Sequence, residues 1–156
     1  MQNKFALRMV GGPMLEPGYE PVHTVTDYYD GPRKGIADFE GRPHFYESEW
    51  DDLADEYAIT FRLTPVEPRL FELALESWSI WRRWETAFHQ GRTRQSTHPA
   101  LPEETMRNNE LHRILERELK INDGYYIRAQ GDFKPLNDPT WNGLGWRPLQ
   151  VRWIRQ

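Results

Sequence analysis

Apolar side chains recur along this chain with two different periods, and the switch between them outlines its elements. Residues 22–29 (Val-His-Thr-Val-Thr-Asp-Tyr-Tyr) are β-branched and aromatic, a strand composition. Asp30-Gly31-Pro32 and Glu40-Gly41 are turn signals, and between and after them Gly35 to Phe39 and Pro43 to Glu47 read as two further strands of an antiparallel meander. Residues 47–56 carry six acids and no base, which predicts a solvated loop or short helix. Tyr57 to Thr64 alternates apolar and polar positions and predicts a fourth strand.

The period then lengthens. Pro65 and Pro68 stop the strand and open a helix over residues 68–90, with Gly91 as its C-terminal breaker. At about 100° per residue, Leu70, Leu73, Ala74, Trp78, Trp81, Trp84 and Phe88 share one arc, while Glu72, Glu76, Ser79, Arg83 and Thr86 lie opposite. A second helix is predicted over residues 103–121, with Glu103 and Glu104 in its first turn and Leu111, Ile114, Leu115 and Leu119 as its stripe. Tyr125 to Phe133 reads as a fifth strand, residues 135–146 as a long irregular loop, and Leu149, Val151 and Trp153 alternate in a closing strand. Strands, two helices, then strands predict an α+β fold: an antiparallel sheet of about five to six strands with two amphipathic helices packed on one face. Residues 1–20, with Gly11-Gly12-Pro13 and Pro17-Gly18, predict an N-terminal arm or extended lead-in to a single domain over residues 21–156.

Composition narrows the function classes. The 156 residues include no cysteine, which excludes a disulfide framework, thiol catalysis and cysteine-ligated metal sites. The N-terminal apolar run ends at Arg8, too short for a secretory signal, and no stretch approaches the length of a membrane span, so a cytoplasmic protein is expected. A net charge of −4 argues against nucleic acid as a general partner. Seven Trp, seven Tyr and seven Phe predict an aromatic-heavy core.

Four constellations carry candidate chemistry. Glu85 breaks the pattern of the first helix by falling inside the apolar arc between Trp78 and Trp81, and His89 follows one turn later. A carboxyl held among aromatics has its charged form disfavoured, the environment of a general acid. Glu118 repeats the anomaly on the second helix and would approach Glu85 if the helices pair. The structural alternative is an ion pair at a fraying helix end, with Arg107 placed to satisfy one glutamate. Second, the meander concentrates Asp27, Tyr28, Tyr29, Asp30, Arg33, Asp38, His44 and Glu47, either a polar ligand site or the solvated face of a hairpin. Third, Arg82, Arg83, Arg92 and Arg94 are interleaved with Trp78, Trp81 and Trp84, a pattern that grips single-stranded nucleic acid when the rings face outward. Fourth, Trp141 and Trp146 bracket a glycine-bearing loop suited to a lid or a docking surface.

The chain has no H-E-x-x-H, no G-x-S-x-G elbow and no dinucleotide fingerprint, so no cofactor and no metal are expected. The profile is that of a small non-catalytic binding protein whose partner is another protein or a small polar ligand. A neutraliser or regulator of a basic partner, such as an immunity protein against a toxin, fits it. The competing reading is a small enzyme using Glu85 with His89 as acid or base in a pocket lined by Trp78 and Trp81.

Overall fold

Alternation along the strands sorts their side chains into an inner and an outer row, and the computed structural model, which describes residues 14–156, shows where each row goes. Four strands, β1 (Glu20–Tyr28), β2 (Pro32–Phe39), β3 (Arg42–Asp51) and β4 (Glu56–Pro65), run as an antiparallel meander. Helix α1 (Pro68–His89) and helix α2 (Thr105–Glu118) follow, then β5 (Ile127–Pro135) and β6 (Leu149–Arg155). The expected acidic loop is instead the β3–β4 hairpin: Trp50 pairs with Tyr57 and Asp51 with Glu56, and the Asp51 carboxylate accepts the Leu53 and Ala54 amides at its turn.

The expectation of an open sheet is overturned. The six strands close into an antiparallel barrel because β6 pairs with β1, through Glu20 opposite Val151 and Pro21 opposite Gln150. The seam is short and polar side chains secure it. Gln150 is fully buried and donates to the Pro135 carbonyl at 3.0 Å while accepting the Glu16 amide at 2.9 Å. The Glu20 carboxylate accepts the Gly41 amide at 2.8 Å and the Glu40 amide at 3.1 Å. Of the predicted N-terminal arm, Met14, Glu16 and Tyr19 are bonded to Asn137, Gln150 and Asp132 along the barrel; residues 1–13 lie outside the described residues.

The inner row fills the lumen. Tyr46, Phe61, Phe133 and Trp153 contact one another in every pairing, with ring centroids 5.4–6.0 Å apart in edge-on or tilted geometry. Ala37, Ala129 and Val151 complete the packing. Tyr46 is fully buried, its hydroxyl donates to the Thr24 carbonyl at 3.1 Å, and burial pushes that phenol well above its ordinary value. The outer row of β2 and β3 is apolar as well: Ile36 and Phe45 pack beneath Ala74 and Phe71 of α1 and Leu115 of α2. Both faces of these two strands are therefore buried, one in the barrel and one under the helices.

The arc predicted on α1 divides among three neighbours. Leu70 and Ala74 face the barrel and α2, and Ile80 packs with Leu111 and Ala100. Trp84 turns to the loop after the helix, where its indole donates to Thr97 Oγ1 at 2.8 Å and its ring stacks on Phe88. Trp78 and Trp81 face the β5–β6 loop instead. The polar face is a charged seam rather than a solvated surface. Arg69, Glu76 and Arg83, seven residues apart, meet Glu118, Arg107 and Glu104 of the antiparallel partner. Arg107 thus pairs with Glu76 and Glu110, not with Glu85.

Two measurements test this packing. A Cβ on Gly131 would stand 2.7 Å from Trp153 Cζ3 and 3.0 Å from Phe61 Cε1, inside a locked cluster. Gly131→Ala should therefore cost about 1–3 kcal/mol in urea unfolding. The seam carboxyls Glu76, Glu104 and Glu118 are held below their ordinary 4.5 chiefly by hydrogen bonds from arginine. A depressed carboxyl pKa adds stability above the unfolded value and loses it as pH falls through the folded one. The thermal midpoint should therefore drop as pH falls from about 5 toward 3, and Arg107→Gln should shrink that drop.

Candidate functional site

The β5–β6 loop, residues 136–148, is short of apolar contacts of its own and is built from turns. Leu136 donates to the Pro148 carbonyl at 2.8 Å and closes its base. The Asp138 carboxylate accepts Thr140 N at 2.9 Å and Thr140 Oγ1 at 2.6 Å, and Asn142 Oδ1 accepts Leu144 N at 3.0 Å. These bonds shape the loop but do not attach it to anything.

Glu85 attaches it. Its Oε1 accepts the Trp146 backbone amide at 2.9 Å and lies 3.4 Å from Arg82 Nε, and the side chain is only 12% exposed. The carboxylate that interrupts the apolar arc is thus the anchor of a loop 61 residues away in sequence. Gly145 is the matching half of this contact. It has φ +71°, and a Cβ there would stand 2.8 Å from Glu85 Oε1, so both conformation and space require glycine. The anchored loop lays Trp146 against Trp78 at 5.7 Å and Trp81 at 6.4 Å, with Tyr28 at 6.1 Å on its other edge.

Two depressions flank this contact. A cleft of about 290 Å³ lies between the end of α1 and the loop, lined by Arg82, Glu85, His89, Asp138, Trp141 and Asn142 among others. A groove of about 180 Å³ lies on the other side, between α1 and β1, lined by Val22, Val25, Trp78, Arg82, Trp146 and Pro148. Arg82 borders both. Two buried donors along these walls, Arg82 Nε and Trp141 Nε1, have no hydrogen-bond acceptor among the described residues. Arg147 lies over the Trp141 ring at 5.0 Å.

The structure therefore brings Glu85, His89, Trp78, Trp81, Trp141 and Trp146 into one region. Glu118 is elsewhere: it pairs with Arg69, 16 residues before Glu85, about 24 Å away along the helix axis. The meander residues do not converge either. Arg33 donates to the Tyr29 carbonyl at 2.7 Å and the Asp30 carbonyl at 2.9 Å, holding the β1–β2 turn, and Asp27 sits opposite Lys34 in the ladder. His44 is buried near the opposite end, its Nδ1 2.8 Å from the Arg42 carbonyl. Of the four arginines considered for nucleic acid, Arg83 is spent on Glu104, and the tryptophans beside them are packed. Among the described residues no group of three or more His, Asp or Glu side chains is arranged to hold a metal ion, and no helix is long and apolar enough to cross a membrane.

The sequence pattern marks the acids of the β3–β4 hairpin as a contact surface but not the apolar side chains at its tip. Leu53 is fully exposed there, Trp50 is 49% exposed, and Tyr29 from the neighbouring turn is 70% exposed. Trp50 and Tyr29 both rest on Tyr57, at 5.0 and 6.2 Å, and Arg33 caps that ring at 4.6 Å. The available signal was an aromatic residue, Trp50, inside a run of acids. Searches against protein-family models, curated proteins and solved structures each return no match.

The anchoring role has a direct test. Glu85→Ala removes a charge-assisted acceptor from a buried amide and should cost about 1.5–3 kcal/mol. Glu85→Gln keeps an acceptor at the same reach and should cost less than about 1 kcal/mol. Chemical denaturation of both variants, with tryptophan fluorescence as readout of the Trp146 environment, checks the difference.

Proposed function

We propose that this chain is a non-catalytic interaction protein that engages a basic protein partner through the β3–β4 hairpin. The observation that carries this reading is the combination at the hairpin tip of exposed, pre-packed aromatics with unpaired acids. Glu49 is committed to Arg128 and Arg62, and Asp51 to its own turn. Glu47, Asp52, Asp55 and Glu56 have no ion-pair partner among the described residues. Glu47 lies further down β3, opposite Lys34 and Arg62. Asp52, Asp55 and Glu56 gather three like charges around Leu53, Trp50 and Tyr57, and a cationic partner relieves their repulsion. Such a field also speeds encounter with that partner. Aromatic anchors already held by neighbours lose little freedom on binding, so their burial contributes to affinity nearly in full.

Acid–base chemistry at Glu85 is the second reading, favoured by the cleft that places His89 and Asp138 near it. Against it stands the commitment of Glu85 to the Trp146 amide and Arg82, which leaves it a positioning role.

Affinity enrichment from cell extract, comparing the intact protein with a variant in which Asp52, Asp55 and Glu56 are lysine, tests the first reading. A basic protein retained by the intact chain, released by salt and lost with the charge-reversed variant or with Trp50→Ala, is the expected outcome. Identical retention by all three forms overturns it.

A further inference from the structure

The groove between α1 and β1 has an unusual chemistry for a surface depression. Its walls are the apolar Val22, Val25, Trp78, Trp146 and Pro148 together with the buried Thr24, and Arg82 borders it. His23 also borders it, but its Nε2 lies 2.8 Å from Asp38 Oδ1, so that imidazole is already paired. Arg82 is half-buried, with its side chain 36% exposed. Its ion-pair contact among the described residues is Glu85, whose Oε1 lies 3.4 Å from Nε without hydrogen-bond geometry. The same Glu85 oxygen is already accepting the Trp146 amide. A guanidinium carries five donors in a planar fork suited to a carboxylate, and here its buried Nε has no hydrogen-bond acceptor among the described residues.

Size fixes the rest. The groove holds about 180 Å³. A protein cavity of about 150 Å³ accommodates a benzene ring. One six-membered ring with a carboxylate matches that volume. Trp146 and Trp78, packed edge to face with centroids 5.7 Å apart, bring two perpendicular ring orientations to the groove wall.

We propose that this groove is a binding site for a small aromatic carboxylate, with Arg82 taking the carboxylate and Trp78 and Trp146 holding the ring. The site is independent of the hairpin and of any protein partner that the hairpin recruits. Because Arg82 also stands beside Glu85, an occupied groove draws the guanidinium toward the ligand and away from the loop anchor. Binding is therefore felt at Trp146.

Titration of the full chain with sodium benzoate, followed by calorimetry and by the indole N–H resonances in ¹H–¹⁵N spectra, tests this. The expected result is saturable binding, at least tenfold weaker for neutral benzamide and at least tenfold weaker for Arg82→Gln. The indole signals that move should be those of Trp78 and Trp146. Absence of saturation by about 20 mM benzoate, equal affinity for benzamide, or shifts confined to Trp50 or Trp153 overturns the proposal. The indole map is read on the unmodified protein, so it decides the question even if Arg82→Gln does not fold.

Discussion

The mutual packing of Tyr46, Phe61, Phe133 and Trp153 inside the barrel is the contact on which everything else rests. Six antiparallel strands enclose a narrow lumen, and a narrow lumen must be filled by side chains or it leaves their inner atoms without partners. Here the rings supply that filling, one each from β3, β4, β5 and β6, with Ala37, Ala129 and Gly131 yielding the room they occupy. Trp153 also reaches across the lumen to β2, its indole donating to the Asp38 carbonyl at 2.9 Å. The rings thereby tie the last strands to the first ones, and the short hydrogen-bonded seam at Gln150 completes a closure that packing has already favoured.

A filled lumen sends function to the outside. The helices cover β2 and β3, while the β3–β4 hairpin and the region where the β5–β6 loop meets α1 stay outside that cover. These differ in construction. The hairpin continues two paired strands past their neighbours and holds its aromatics by stacking on Tyr57. The loop is tied to α1 by a bond from the Trp146 amide to Glu85, and Met14 donates to its Asn137 carbonyl. The hairpin carries its aromatics on paired strands, whereas the loop walls two depressions.

The charges follow the same division. Glutamates along the helix seam meet arginines on the facing helix, which holds their carboxyls low and locks α1 to α2. The acids of the hairpin are partnered only near its base, where Glu49 meets Arg128 and Arg62. A net charge of −4 thus conceals a neutralised helical layer and an acidic projection.

The strand ends in the acidic run 47–56 were not legible in the sequence, since its charged residues show no apolar alternation, but most elements were, because periodicity is local. Glu85 was legible as an anomaly for the same reason, since it breaks a local pattern. Its role was not, because the Trp146 amide it holds is distant in the chain and only Gly145 lets it approach. The placement of Glu118 beside Glu85 failed because helix register depends on which arginine each glutamate meets across the interface. The single aromatic arc of α1 became three contacts because Trp78, Trp81 and Trp84 fan out by about 60° steps, and each side of the fan found a different neighbour. Barrel closure was beyond the reach of any pattern. An alternating strand buries one face equally well in an open sheet and in a barrel, and only the distance between β1 and β6, set by how the four rings pack, decides between them.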